Sequence, residues 1–258
     1  MTSIITRTFS SKLRRDWSIL RPFLTYPPKY KLSTAAEEQK NDTEDLKSLD
    51  PLNHPDFFHV YDMFTVKDLF EARVHFGHKE GSLNDYMRPF IFGSRLGHLI
   101  IDLDQTAELL RQALNFTAHI AYQGGIILFI AKNPQISYLV ENTAKECEEY
   151  AHTRHWKRGT FTNANHEFKA AIRLPDLCII LNTMESVVKQ HEAVVHAAKM
   201  AIPTVGIVDT NCDPKLISYP VPGNDDTPCA IELYCKLFKE AVMKGKRHRN
   251  YMLEKNLI

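Results

Sequence analysis

Hydrophobic positions change period several times along this chain, and each change marks an element. Leu110, Ala113, Leu114, Thr117 and Ala121 recur at the spacing of one helix face, with Asp104 placed to cap the helix and Gly124-Gly125 to end it. Ile126–Ala131 follows directly and is apolar throughout rather than alternating, which is how a strand buried on both faces reads. Asn133 then offers a cap, and Pro134 occupies the first helical position, where no backbone N–H is required. Ile136, Leu139, Val140, Thr143 and Cys147 line one face of a helix predicted to reach about Tyr150. The strand-to-helix handover repeats. Leu177–Leu181 leads to a helix through Met200, and His191 falls on its apolar stripe with Val187, Val194 and Ala198. Thr204–Val208 is a third apolar strand, ending at Asp209. Thr227 and Pro228 open a last helix with the stripe Ile231, Tyr234, Cys235, Phe238 and Val242, fraying around Lys244–Arg249.

Upstream, Thr65 caps a short helix, Val66–Arg73. His75–His78 reads as a turn, and Ile91-Phe92 and Leu99–Asp102 as short strands. Apolar strands alternating with helices imply βαβ units and a parallel sheet, so the fold class is α/β. One such domain spans 65–245. Residues 37–50 form an acidic, aperiodic linker and 51–64 an aromatic-bearing approach segment, the two together spanning 37–64; 246–258 is a basic tail.

Composition narrows the function classes. A chain of 258 residues with 44% hydrophobic side chains can bury a sizeable core. No apolar run approaches the roughly 18–20 residues of a membrane-spanning helix. The five cysteines include no CxxC pair, and their number is odd, so they read as free thiols of a reducing compartment. Charge is uneven. Residues 1–36 carry seven Lys/Arg (Arg7, Lys12, Arg14, Arg15, Arg21, Lys29, Lys31) and one acid, Asp16, with Ile4, Ile5, Phe9, Leu13 and Trp17 among them. That basic, hydroxyl-rich, amphipathic start reads as a mitochondrial presequence, the alternative being a disordered basic tail. The remainder keeps 25 of the 32 basic and 30 of the 31 acidic side chains, so nucleic acid can be met only through local basic patches.

In a parallel α/β sheet, ligands collect beyond the carboxyl ends of the strands. Those ends carry Lys132-Asn133-Pro134, Asn182-Thr183-Met184-Glu185 and Asp209–Pro214. No GxGxxG follows a strand and no GxxxxGK[ST] occurs, so the glycines that cradle phosphate are missing. Asp209 and Asp213 are the acid–base or metal candidates, and they equally suit Asx turns and caps. Cys212 has no base beside it in sequence and no elbow glycines. His75/His78 and His152/His155 could each give two zinc ligands, short of a full set. The basic features are stronger. His152–Thr160 joins Arg154, Trp156, Lys157 and Arg158 in one loop, suited to phosphate contact and base stacking, or to a solvated loop with Trp156 turned inward. Lys244–Arg249 is a second cluster, which also suits a helix C-terminus.

Longer motifs add a resemblance. Leu69–His78, Arg88–Arg95 with Ile100–Leu103, Ile202–Pro214 and Tyr219–Asp226, in this order over about residues 65–242, resemble the family of protein two of the bacterial-type small ribosomal subunit. With the basic leader, the chain looks like a mitochondrial member. The resemblance implies a flavodoxin-like three-layer sandwich, mitochondrial small-subunit ribosomal RNA and neighbouring small-subunit proteins as partners, and no catalysis, cofactor, metal, membrane or small-molecule substrate. It casts Asp209–Pro214 and Pro222–Asp226 as shaping the fold. Two departures stand out. The bacterial helical hairpin between the positions of Thr162-Asn163 and Leu174-Pro175-Asp176 has about ten residues here, too few for two helices. The family's Arg-Trp-Leu-Gly-Gly reads His155-Trp156-Lys157-Arg158-Gly159.

The expected RNA contacts are Arg88, Arg95, Arg154, Trp156, Lys157, Arg158, Lys246, Arg247 and Arg249. The rival readings are a small-molecule enzyme using Asp209, Asn211 and Asp213, and an adaptor that touches protein alone.

Overall fold

The computed structural model describes residues 51–186 and 189–255, so the basic leader at 1–36 and the linker at 37–50 lie outside the described residues. Its centre is a sheet of five parallel strands: β4 (Ile127–Ile130), β5 (Tyr150–His152), β6 (Leu177–Ile180), β7 (Thr204–Val208) and β8 (Tyr219–Pro222). They lie in the order β5–β4–β6–β7–β8, which is the flavodoxin-like order. Three further strands, β1 (Phe76–Lys79), β2 (Ile91–Arg95) and β3 (His98–Ile101), pair antiparallel in the order β1–β3–β2.

The period-2 direction of strand side chains divides the core in two. Ile127, Phe129, Leu177, Ile179, Val205 and Ile207 face one layer, built from α2 (Leu103–Gln123), α3 (Pro134–Glu146) and α6 (Pro228–Glu254). Ile130, Cys178, Ile180 and Val208 face the other, where Ala193, Val194 and Ala197 of α5 (Glu192–Lys199) pack with Trp156, Phe161 and Met87. This is a three-layer sandwich. Burying a side chain such as Ile179 or Phe129 on the sheet stabilises it by roughly 1.5–3 kcal/mol. Phe58, Val60 and Phe64 of the approach segment belong to the first layer's core. Among the described residues no helix is long and apolar enough to cross a membrane.

The local signals mostly hold. Thr65 and Asp68 form a reciprocal capping box on α1 (Val66–Glu71), Asn133 caps α3 through Gln135 N, and Gly124 ends α2 in the left-handed region. The buried stripe of α6 contains Ile231, Tyr234, Cys235, Phe238 and Val242.

Five expectations are corrected. Asp102, not Asp104, caps α2, its Oδ1 accepting from Asp104 N at 3.1 Å. His75–His78 is more than a turn, because β1 begins at Phe76. Helix α3 stops at Glu146 and Tyr150–His152 becomes the edge strand β5. Glu148 makes the corner at φ 56, and Lys246 Nζ donates to the carbonyls of Cys147 and Glu148 at 2.5 and 3.2 Å. His191 is packed and hydrogen-bonded, but as the N-cap of α5, its Nδ1 accepting from Ala193 N at 3.1 Å, rather than as a member of that helix's stripe. Finally, α6 does not fray at Lys244 but continues to Glu254. Gly245 permits this, since a Cβ there would lie 2.4 Å from the Ala118 carbonyl of α2.

Candidate nucleic-acid interface

The strand ends come first, because a catalytic site belongs there. Hydrogen bonds tie the loops there to one another, and between them lie two clefts, one of about 650 Å³ against His78, Asp209 and Asp226 and one of about 320 Å³ against Lys132, Asn182 and Asp225. Asn182 Nδ2 donates to the Asp225 carbonyl at 2.9 Å, and Lys132 N donates to Asn182 Oδ1 at 3.4 Å. Lys132 Nζ donates to the Glu185 carbonyl. Cys212 is buried between Thr183 and Asn211, and burial pushes its thiol up to about 12, so it is no thiolate nucleophile at neutral pH. Asp213 accepts from Lys215 N at 3.0 Å, an Asx turn, while Asp209 turns elsewhere.

Asp209 is paired with His78, a residue its sequence neighbours do not explain. The imidazole sits between two carboxylates, Nδ1 at 3.0 Å from Asp209 Oδ2 and Nε2 at 3.4 Å from Asp226 Oδ2. Asp209 is buried and also accepts from Thr210 N. The hydrogen bond that His78 donates to Asp209 raises the imidazole to about 9, against the opposing effect of burial, so the ring is imidazolium at neutral pH. Neighbouring Asp225 is held well above the usual carboxylate range by burial and by Asp209 and Asp226. Ligand atoms of His78, Asp209 and Asp226 all lie within 4.8 Å of one another, close enough for one divalent ion. The pair clamps β1 to the end of β7, and His78 N donates to Thr210 Oγ1 at 3.0 Å in support. His75 takes no part, stacking on Phe70 with ring centres 4.5 Å apart. His152 lies on β5 against Trp156, and His155 is exposed.

The basic residues divide into those that point outward and those used internally. Arg88 (70% exposed), Arg95, Arg154, Lys157, Arg158 (85%) and Arg247 are on the surface. Arg88 pairs with Asp85 and Lys157 with Glu167, both in the open. Lys246 is committed to Glu149 at 2.6 Å and to the carbonyls that end α3, and the Arg249 guanidinium fills the space above Gly124. Both serve the α2–α3–α6 layer. Trp156 is turned inward at 3% exposure, its ring edge-on to Phe161 and His152, so it presents no open face for stacking. The bacterial hairpin position holds only α4 (Ala164–Glu167).

The fold also assembles a grouping that no sequence window contains. The 153–163 loop runs along α5, forming a groove of about 620 Å³ that brings Arg158 together with Lys189, His196 and Lys199. Lys189 and Lys199 are about 30 and 40 positions from Arg158, and only the packing of α5 against Trp156 makes them neighbours.

The architecture therefore defines a class: a parallel three-layer α/β sandwich whose strand-tip loops are tied to one another and which carries a local basic groove beside α5. The sequence profile described as "Ribosomal protein S2" matches residues 69–170 and 165–245. The chain is 54% identical over 222 residues to "Small ribosomal subunit protein uS2m" of Bos taurus, covering 85% of this chain and 76% of that one. It is 36% identical to "Small ribosomal subunit protein uS2" of Nitratiruptor over 74% of this chain and 86% of the relative. For the Caulobacter vibrioides protein of the same name the figures are 34%, 70% and 82%. The chain belongs to the ribosomal protein S2 family.

Proposed function

We propose that this protein is a structural, non-catalytic constituent of the small subunit of the mitochondrial ribosome, holding ribosomal RNA and neighbouring proteins with its surface loops. The single observation that carries this reading is membership of the ribosomal protein S2 family, with 54% identity to a bovine protein whose name marks it as mitochondrial. The strand ends agree with it, Asn182 and Cys212 there being engaged in hydrogen bonds between loops. The site of action is the matrix, and residues 1–36 act as the presequence that takes the chain there.

Contact with RNA falls to the outward cations Arg88, Arg95, Arg154, Lys157, Arg158 and Arg247, while the remaining surface is available to protein neighbours. The isolation of tagged full-length chain from mitochondria tests the reading. Small-subunit RNA and proteins should be enriched over those of the large subunit, and recovery of neither would refute it.

A further inference from the structure

The groove beside α5 has an internal organisation that a random patch of surface lysines lacks. The carboxylate among its lining residues, Glu192, is only 17% exposed and is held by two cations at once, Lys189 Nζ at 2.7 Å and Arg158 Nε at 3.4 Å, while Lys189 Nζ also meets Glu185 Oε2 at 2.7 Å. Because Glu192 meets the guanidinium through Nε, both Nη groups of Arg158 remain to serve an outside acceptor in the planar fork that fits a phosphate. Lys199 adds a third cation from the far end of the helix, so three cations face two carboxylates, Glu192 and Glu185, and the groove keeps an excess of positive charge.

His196 lines the same groove and supplies a donor of a different kind. Trp156 Nε1–H donates to His196 Nδ1 at 3.0 Å, which makes Nδ1 the acceptor and leaves the proton on Nε2. Burial lowers the titration of His196, so it serves as a neutral N–H donor at physiological pH. Three cations, two of them oriented by Glu192, and one neutral donor held by Trp156 make a surface suited to a run of singly charged phosphodiesters.

We propose that the groove formed by Arg158, Lys189, His196 and Lys199 is a seat for the sugar–phosphate backbone of RNA, with Glu192 and Trp156 as its positioning residues. This rests on the proposed place of the chain in a ribosomal small subunit. It shifts the main RNA contact away from a stacking indole and onto a cleft between the loop and α5. The contact reads backbone rather than sequence, since no free aromatic face lines the cleft.

Small subunits isolated with the full-length protein provide the test. Crosslinking Lys189 and Lys199 with 2-iminothiolane and light, followed by peptide mapping, should give RNA adducts on both lysines. Incorporation of the variant Arg158→Gln/Lys189→Gln/Lys199→Gln should be released at lower salt than wild type, because fewer counterions are displaced on binding. Arg158→Lys/Lys189→Arg/Lys199→Arg, which keeps the charge, should restore much of the lost salt resistance. Three outcomes overturn the inference while the chain remains in the subunit: lysines that crosslink only to peptides of a protein neighbour, lysines as open to acetylation as in free protein, or an unchanged salt profile. Absence of the wild-type chain from the small subunit overturns both this inference and the reading beneath it.

Discussion

The indole N–H of Trp156 and Nδ1 of His196 are joined by a 3.0 Å hydrogen bond that links the 153–163 loop to α5. A side chain suited by composition to stacking on RNA is thus spent on fixing the ring of another residue. Trp156→Phe removes the donor and part of the buried ring, so it should destabilise the fold by about 1–3 kcal/mol. Nitrogen NMR of the full chain should find His196 as the Nε2–H tautomer in wild type, and a mixture of tautomers in Trp156→Phe. A wild-type ring protonated on Nδ1 would contradict the assignment.

His78 should make the fold sensitive to alkali. Its folded value is raised to about 9 from an ordinary 6.5, so the stability it adds is complete below about 6.5 and is lost as pH rises through about 9. Denaturant midpoints at pH 6.5, 8 and 9.5 should therefore fall in that order. His78→Gln should be less stable at pH 6.5 and should flatten this part of the profile.

Tyr234 and Gly223 form a tight pair in the core. The Tyr234 hydroxyl is fully buried without a hydrogen-bond partner among the described residues, and a Cβ on Gly223 would lie 2.1 Å from it. Gly223→Ala should cost about 1–3 kcal/mol through overpacking. Tyr234→Phe should be close to neutral, since it deletes an unsatisfied group, and should recover part of the Gly223→Ala loss in the double variant. Chemical denaturation of the four proteins checks the cycle. Additive losses would refute the clash.

The thiols should separate sharply. Cys147, Cys178, Cys212 and Cys235 are buried and each is pushed up to about 12 by desolvation, whereas Cys229 is exposed. Brief N-ethylmaleimide treatment of native protein should label Cys229 alone, and denaturant should expose all five. Fast labelling of Cys212 in the native state would contradict its burial between Thr183 and Asn211.

Much of the fold is legible in the sequence because its signals are local. Apolar runs such as Leu177–Leu181 and Thr204–Val208 need no partner to declare burial on both faces, and Asn133-Pro134 and Thr65 announce their helices. Errors occur where a distant contact decides. Tyr150–His152 is a strand because β4 lies beside it, and the end of α3 is fixed by Lys246, a hundred positions away. The last helix outlasts its apparent basic tail because Gly245 fits against Ala118 and Met252 is buried.

The interface was less legible for the same reason. Arg158 and Lys157 stand out in one window, but nothing in that window turns Trp156 inward or brings Lys189, His196 and Lys199 alongside. Nor does spacing predict that His78 meets Asp209, 131 positions on, though the Leu69–His78 and Ile202–Pro214 motifs contain both residues.

Whether the protein resides in a ribosomal particle is settled most directly by sedimentation of mitochondrial lysate through a sucrose gradient, with the endogenous chain followed by immunoblot. The account predicts that it peaks with the small subunit and with assembled ribosomes, and moves to the top of the gradient after RNase treatment. A protein found at the top of the gradient without RNase, away from small-subunit RNA, would contradict it.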